Sequence, residues 1–303
     1  MCYQKTIQNT VSLSGIGLHT GQKVTVTLKP ALPNWGIEFK RTDLSGSPGI
    51  KAHSKNVIGT AFATTLGGRG FSISTVEHLM AALFGMGIDN AIVEVDGDEI
   101  PIMDGSADPF AYLISSVGLQ VQDVQRDYIR IIKPIEVAEG DRKAALLPSD
   151  GSGFEIDYRI DFDHPMIRIQ QLALTINDQI FETQVASART FGFLSDINML
   201  KANGFAAGGS LENAVVIGNY SILNKGGLRY PDEFVRHKIL DAIGDFALAG
   251  YRIKGTLVAN KSGHGLNSKL VKRLLDEKRC WHLEVAGDWE EVPFTSAALQ
   301  AVG

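Results

Sequence analysis

The side chains best suited to chemistry lie in one stretch of helical pattern, FVRHKILDAIGD, which runs from Phe234 to Asp245. Four residues advance an α-helix by about 400°, so His237 and Asp241 lie one turn apart on nearly the same face, and Asp245 extends that face. A neutral imidazole and a carboxylate placed in this way can bind one divalent metal ion. The same spacing also occurs where a histidine and two aspartates simply face solvent. The pattern by itself leaves both interpretations open.

A third metal ligand is available at the start of another helical pattern. Val76-Glu77-His78 opens that helix much as Val235-Arg236-His237 opens the later one. Two histidines and one aspartate would leave the fourth position of a tetrahedral zinc ion open for water, as in catalytic zinc sites. Glu77 diverges from His78 by about 100° around the helix axis, so it would face a bound water rather than the metal. Ser74 and Glu77 also fit a capping box, in which Glu77 would only satisfy the first amide of the helix.

The other histidines carry weaker signals. His264 lies between two glycines in SGHGLN, which is typical of a loop that approaches a ligand or of a solvated surface residue. His19 lies in the first glycine-rich turn, where it could line a site. His53, His164 and His282 have no partners at ligand spacing, and we expect them to be structural or exposed.

Composition indicates a globular protein of about two domains. Of its 303 residues, 44% are hydrophobic and 21% are charged, which is enough apolar material for a full core. The net charge of −5 argues against a basic face for RNA or DNA, so we expect no nucleic-acid partner.

Cys2 and Cys280 are expected to be free thiols. The sequence shows no signal peptide and no apolar run near the ~20 residues that span a bilayer, so we expect a cytoplasmic protein.

Two common chemistries are excluded by missing motifs. The chain has no G-x-x-x-x-G-K-[ST] phosphate loop, and Gly208-Gly209-Ser210 lacks the flanking pattern of one. A sugar kinase of similar architecture would require such a loop. The chain also has no H-E-x-x-H helix, which excludes the common metalloprotease site.

The elements of the first half must position His78. Val24–Leu28 alternates like a half-buried strand after the turn at 14–21, which predicts a hairpin. Residues 41–56 are rich in Gly, Ser, Pro and Lys and indicate an insertion or long loop. A helix is predicted from Val76 to Phe84, followed by a strand over Ala91–Val95.

The second half repeats this order. A polar stretch places a domain boundary near residue 126, and a strand is predicted over Tyr128–Ile132. A helix from Val235 to Leu248 is followed by a strand at Gly255–Val258, which echoes the first half. We therefore predict an α+β fold of two related domains, 1–126 and 127–285, each a sheet backed by helices. A second insert, near 193–230, is expected to hold a small strand and helix, and the tail 286–303 shows no periodicity.

Five motifs in a fixed order give the sequence a resemblance to a known family. They are Ser74–Leu79 (STVEHL), Glu99–Ser106 (EIPIMDGS), Ala188–Phe193 (ARTFGF), Phe234–Asp245 and Lys261–His264 (KSGH). Together they resemble the zinc-dependent UDP-3-O-acyl-N-acetylglucosamine deacetylases of Gram-negative bacteria, from the first turn to about residue 283. The resemblance implies two α+β domains with helices between two sheets and one insert per domain. It also implies removal of acetate from the glucosamine nitrogen of a UDP-linked, 3-O-acylated sugar, the committed step of lipid A biosynthesis.

The resemblance implies a role for each candidate residue of the reaction. The zinc ligands would be His78, His237 and Asp241, and iron(II) could occupy the same ligands. Glu77 would be the general base. The opposing cationic acid would be His264, oriented by Asp245, and Thr190 would help to stabilise the oxyanion. Whether Glu77 or His264 protonates the leaving amine stays open.

The resemblance also implies how substrate is held. Lys238, turned away from His237, would lie near the diphosphate, and Asp161-Phe162 would receive the uracil. The insert from Phe193 would form the passage for the acyl chain. The substrate-binding residues expected on this basis are Leu18, His19, Asp161, Phe162, Phe191, Phe193, Gly209 and Lys238.

The sequence departs from several relatives at two positions. Ala63 and Thr65 stand where those relatives carry cysteines, so a thiol beside the metal is not expected here.

A different metal-dependent amidase is the strongest alternative function, and it would not require the UDP moiety for acetate release. We expect a monomer that acts on a small molecule.

Overall fold

The computed structural model describes residues 2–46, 48–68 and 70–285. The tail predicted at 286–303 lies outside the described residues. The fold is α+β, as predicted, and none of the helices in these ranges is long and apolar enough to span a bilayer. Cys2 and Cys280 are free thiols, as predicted.

The first part of the chain forms ten strands and two helices among the described residues. In order they are β1 Tyr3–Ile7, β2 Val11–Ile16, β3 Lys23–Pro30, β4 Ile37–Arg41, β5 Ile50–Lys51, β6 Val57–Gly59, β7 Thr65–Gly68, β8 Phe71–Ile73, α1 Glu77–Gly85, β9 Ala91–Val95, α2 Asp108–Val117 and β10 Leu119–Gln125. A short 3-10 helix, Ser54–Asn56, precedes β6.

The second part of the chain forms the remaining strands and helices among the described residues. Its elements are β11 Tyr128–Ile131, β12 Ile135–Glu139, β13 Arg142–Leu147, β14 Phe154–Phe162, β15 Arg168–Ile176, α3 Asp178–Ile180, β16 Phe191–Phe193, α4 Leu194–Ala202, β17 Val215–Ile217, α5 Glu233–Ala247, β18 Arg252–Asn260, α6 His264–Asp276 and β19 Trp281–Glu284. A π-helical turn, Phe181–Val185, follows α3, and a 3-10 helix, Lys278–Cys280, precedes β19.

Two main sheets carry the core. The five-stranded sheet has the order β2-β3-β9-β4-β5, and its β2–β3 pair is the predicted hairpin. Alternation in β3 buries Val24, Val26 and Leu28, which is the two-residue period of a sheet with one apolar face. In the seven-stranded sheet, β18 pairs with β13 on one side and with β11 and β14 on the other.

Helices from both parts of the chain meet between these sheets. Helix α2 packs on β2, helix α5 packs on β14 and β15, and α6 packs on β12 and β13. Helix α1 packs against α5, and all nine of its residues are buried. The two helices approach closely because Gly244 of α5 has no side chain: a Cβ there would lie 2.1 Å from the carbonyl oxygen of Glu77. This contact brings the start of α1 beside the middle of α5.

The predicted long loop at 41–56 is only partly a loop. Strand β5 within it pairs with β4, and a 3-10 helix follows. The next three strands, β6 to β8, form a small antiparallel sheet that the sequence pattern did not predict. Their short lengths and four glycines hide the alternation that marks longer strands. The second insert holds β16, α4 and β17, in agreement with the predicted strand and helix.

Candidate active site

Three side chains from α1 and α5 converge in the buried interior. His78 Nε2 lies 3.6 Å from Asp241 Oδ1, and His237 Nε2 lies 3.3 Å from the same oxygen. One ligand atom from each residue lies within 4.8 Å of the other two. The exposed fraction of each residue is at most 4%, so the alternative of a solvated histidine and aspartate is wrong.

The donor set fits a metal ion. Asp241 Oδ1 is buried and has no hydrogen-bond partner among the described residues. Buried carboxylate oxygens are normally satisfied, so this oxygen fits the role of a ligand to a cation. Ligand atoms of a tetrahedral zinc ion are about 3.4 Å apart, close to the spacing found here. His237 Nδ1 lies 3.0 Å from the Ala188 carbonyl, which fixes the ring with Nε2 toward Asp241.

Burial keeps the imidazole of His237 neutral, as a metal ligand must be. Burial lowers the pKa of His237 to about 3, although the charge of Asp241 opposes this shift. Burial would raise the pKa of Asp241, but His237, Lys238 and His264 hold it well below its usual range. The pair therefore offers a neutral nitrogen and a charged oxygen over the whole physiological pH range.

Glu77 and His264 face each other beside this cluster. Glu77 Oε1 lies 3.8 Å from His264 Nε2, and His264 Nε2 lies 3.9 Å from Asp241 Oδ2. Glu77 forms no capping box: the capping residue of α1 makes no side-chain hydrogen bond, and Ser74 donates to the Asp98 carbonyl. The capping alternative for Glu77 is therefore wrong.

His264 is the first residue of α6 and does not lie within a loop. Its neighbours Gly263 and Gly265 favoured a loop in the sequence, although Leu266, Leu270 and Leu274 follow at helical spacing. His264 Nδ1 lies 2.9 Å from Asp245 Oδ2, so Nε2 is directed at Glu77. The structure thus places Asp245 where an orienting carboxylate is needed.

The pKa values of Glu77 and His264 are both raised, but by different causes. Burial raises the pKa of Glu77, although His264 and His78 oppose the shift. Burial alone would lower the pKa of His264, but the charges of Asp245, Asp241 and Glu77 raise it to about 10. A protonated imidazole therefore stands opposite a carboxyl group whose proton affinity is increased.

Thr64, which contacts both Glu77 and Asp245, was not identified from the sequence. Thr64, just before β7, is buried and donates its backbone N–H to Glu77 Oε2 at 2.9 Å. Its hydroxyl donates to Asp245 Oδ1 at 2.7 Å. No motif marks a single threonine between short strands, so no sequence signal points to it.

Thr190 follows two residues after Ala188, whose carbonyl lies 3.0 Å from His237 Nδ1. The backbone of Thr190 is held on both sides, since its N–H donates to Gly105 and its carbonyl accepts from Val215. Its hydroxyl makes no hydrogen bond among the described residues. Lys238 contacts the cluster, because its ammonium donates to Asp241 Oδ2 at 2.8 Å. An i to i+3 spacing on a helix permits this contact.

Aromatic rings line the neighbouring surface. Phe162 lies 5.7 Å from Phe191 and 6.0 Å from Phe193 between ring centroids. Phe191 also lies 6.3 Å from the His237 ring. The adjacent Asp161 Oδ2 lies 3.1 Å from the ammonium of Lys261. These predicted substrate residues therefore form one patch that extends to His237, one of the candidate metal ligands.

The first turn and the second insert are joined. Amides of Ala207 and Gly208 donate to the carbonyls of His19 and Leu18. A Cβ on Gly209 would lie 3.7 Å from Leu18. The turn itself is held by Glu99, the first residue of the EIPIMDGS motif, to which the sequence assigned no role; it accepts from the backbone amides of His19 and Thr20. The insert is thereby fixed against the turn.

The comparisons with known proteins agree with this geometry. The family model described as LpxC, UDP-3-O-acyl N-acetylglycosamine deacetylase, matches residues 4–276. The chain belongs to this family. A protein of Geobacter sp. strain M21 is 50% identical over 301 residues, covering 99% of this chain and 95% of its own. One from Pseudoalteromonas atlantica is 50% identical over 98% of each chain, and one from Myxococcus xanthus is 51% identical over 92% of this chain and 88% of its own.

All three relatives carry the name UDP-3-O-acyl-N-acetylglucosamine deacetylase. The family is one of metalloenzymes that hydrolyse an amide in lipid A biosynthesis. Among the described residues, His78, His237 and Asp241 form the group of side chains that could hold a metal ion. The family resemblance inferred from the five motifs is confirmed.

Proposed function

We propose that this protein is a zinc-dependent hydrolase that removes the N-acetyl group of UDP-3-O-acyl-N-acetylglucosamine and releases acetate. The observation that carries the proposal is the convergence of two Nε2 atoms on the unpartnered Asp241 Oδ1, with Glu77 and His264 facing each other beside it. Family membership supplies the substrate class. The reaction is proposed as the committed step of lipid A biosynthesis.

The metal would be held by His78, His237 and Asp241. Bound zinc would lower the pKa of a water molecule to about 7 and polarise a carbonyl oxygen, which makes an amide open to attack. Iron(II) is compatible with the same nitrogen and oxygen donors. We propose zinc because a set of two histidines and one carboxylate with an open position is typical of catalytic zinc sites.

The chain's own residues then move protons and stabilise charge. Glu77, as a carboxylate, accepts a proton from the attacking water. The Thr190 hydroxyl donates a hydrogen bond to the developing oxyanion, and protonated His264 contributes positive charge. His264 or the newly protonated Glu77 then gives a proton to the leaving amine. Asp245 holds the imidazole ring of His264 in place for this step.

Substrate recognition is proposed for the surrounding surface. The patch of Phe162, Phe191 and Phe193, with Asp161, is proposed to receive the uridine. Lys238 is proposed to bind the diphosphate, which requires its ammonium to exchange Asp241 for a phosphate oxygen. The Ala- and Gly-rich insert beside Leu18, His19 and Gly209 is proposed to hold the acyl chain, since small residues allow close approach.

The pH dependence follows from the two pKa shifts. We expect kcat/KM to rise as Glu77 loses its proton and to fall as His264 loses its proton, giving a bell-shaped profile. A bound dication lowers both pKa values because it disfavours a proton on either group. Replacing Asp245 with asparagine removes a negative charge beside His264 and should move the alkaline limb to lower pH. A rate that stays flat between pH 5 and 9 would contradict these roles.

The chain-length preference provides a separate prediction for the insert. Gly209→Leu adds a side chain that meets Leu18, so we expect kcat/KM for a long-chain substrate to fall about tenfold or more. A short-chain substrate should lose less than about threefold. Competition between the two substrates, followed by mass spectrometry, measures the ratio directly. Equal losses for both would remove the insert from acyl binding.

The proposed function is tested by mass spectrometry of the substrate after incubation with the purified protein. We expect loss of one acetyl group from UDP-3-O-acyl-N-acetylglucosamine, and none after treatment with a chelator. The matched comparison is the same acylated sugar without UDP. Equal deacetylation of both would favour a different metal-dependent amidase.

The division into domains 1–126 and 127–285, the cytoplasmic location and the monomeric state remain predictions.

A further inference from the structure

Thr64 joins Glu77, one of the two residues proposed to transfer protons, to Asp245, which holds the other, His264. Its N–H donates to Glu77 Oε2, and its hydroxyl donates to Asp245 Oδ1, which is 181 residues away in the sequence. Its carbonyl accepts from the Val76 amide at 3.2 Å. All three polar groups of this buried residue are therefore used. The backbone N–H contacts the carboxylate of Glu77, and the hydroxyl contacts the carboxylate of Asp245.

These contacts close a ring of four residues. Asp245 Oδ2 lies 2.9 Å from His264 Nδ1, and His264 Nε2 lies 3.8 Å from Glu77 Oε1. Thr64 completes the ring from Glu77 back to Asp245. Because α1 and α5 belong to different parts of the chain, the ring fixes the distance between a group on one helix and a group held by the other.

The two oxygens of Asp245 are not equivalent. Oδ2 is shared by His264 and by the side-chain amide of Asn267, also at 2.9 Å. Oδ1 accepts only from the Thr64 hydroxyl among the described residues. The Asp245 side chain is 1% exposed, so water does not readily replace a lost donor. Without the Thr64 hydroxyl, we expect the Asp245 carboxylate to rotate toward its remaining donors and to move the His264 ring with it.

We infer that Thr64 is a positioning residue, whose hydroxyl acts through Asp245 to hold His264 opposite Glu77. The inference rests on the proposed function, since it assumes that this pair transfers protons in amide hydrolysis. Thr64 is proposed to contact neither substrate nor metal. Its effect on the reaction is therefore expected in kcat rather than in KM or in metal content.

Substitution can separate the two contacts of Thr64. The N–H donated to Glu77 belongs to the backbone and survives any replacement except proline. Thr64→Val has nearly the same shape and removes only the hydroxyl. Thr64→Ser keeps the hydroxyl and removes a methyl group. The pair thus distinguishes the hydrogen bond from simple packing in a buried position.

The experiment measures kcat and KM for release of acetate, with bound zinc measured by elemental analysis. For Thr64→Val we expect a fall in kcat of about 10- to 100-fold, the range typical of residues that orient the ligands and reacting groups of metal sites, with KM and zinc content unchanged. Thr64→Ser should keep kcat within about threefold of the wild-type value, because it keeps the donor. The matched control is Thr6→Val on β1, a buried threonine whose hydroxyl accepts from the Ala31 amide at 3.1 Å, and it should change kcat less than about twofold.

A second measurement distinguishes positioning from general destabilisation. In the His264→Ala background, Thr64→Val should lower kcat by less than about twofold, because the group it positions is already gone. Equal fold-losses in both backgrounds, wild-type kcat in Thr64→Val, or a serine variant as slow as valine would each overturn the inference. If Thr64→Val does not fold, Thr64→Ala is compared with Thr64→Ser, because alanine also lacks the hydroxyl and equal rates of the two would overturn the inference. Failure of the wild-type protein to release acetate would instead overturn the proposed function.

Discussion

Replacing His237 with alanine is expected to abolish both metal binding and deacetylation. The variant removes one of the two nitrogens that face Asp241 Oδ1, and Asp241 and His78 alone offer too few donors for a stable site. The activity should fall on the order of 10³-fold or more, because the metal's effects on water and on the carbonyl are lost together. Elemental analysis of the purified variant should find little zinc.

The control is His282→Ala, since His282 is exposed on β19 and far in sequence from the cluster. That variant should keep both its zinc and its activity. Circular dichroism of His237→Ala checks that the fold survives the loss of a buried side chain. A folded His237→Ala variant with full zinc content would show that the metal is held elsewhere.

Replacing Glu77 with glutamine is expected to lower kcat while leaving the metal in place. Proton transfer by a positioned side chain typically contributes about 10²- to 10⁴-fold, so a loss in this range is expected. Glutamine keeps the shape of the residue and can still accept the Thr64 amide, so the packing of α1 should not change. Rates and zinc content measured on one preparation separate the two effects.

The matched control for Glu77 is Glu94→Gln on β9, where the carboxylate pairs with Lys29 at 2.7 Å. A surface pair of this kind contributes little, and activity should stay at the wild-type level. If Glu77→Gln lost its zinc, Glu77 would be a ligand rather than a base. If it kept full activity with bound zinc, another group would have to accept the proton from water.

Helical periodicity predicted the local part of the site. The four-residue spacing of His237 and Asp241 places them on one face wherever the helix lies, because a helix has a fixed geometry. The bounds predicted for α1 and α5 agree with the structure within two residues. Which distant helix supplies the third ligand is decided by packing, here the close approach of Gly244 to Glu77, and periodicity does not report it.

Two features depended on tertiary contacts that the sequence does not display. The glycines beside His264 favoured a loop, although α6 begins there. Thr64 has a role only because the small sheet of β6 to β8 carries it to α5. In each case a remote charge or backbone group decides what a local pattern leaves open.

The most direct test of the metal centre is a titration of metal-free protein with zinc, followed by mass spectrometry of the acetate released from UDP-3-O-acyl-N-acetylglucosamine. If His78, His237 and Asp241 hold one catalytic ion, the rate should rise in proportion to added zinc and reach its maximum at about one equivalent per chain. Full activity in the metal-free protein, or no recovery when zinc is returned to the folded chain, would contradict the proposed centre.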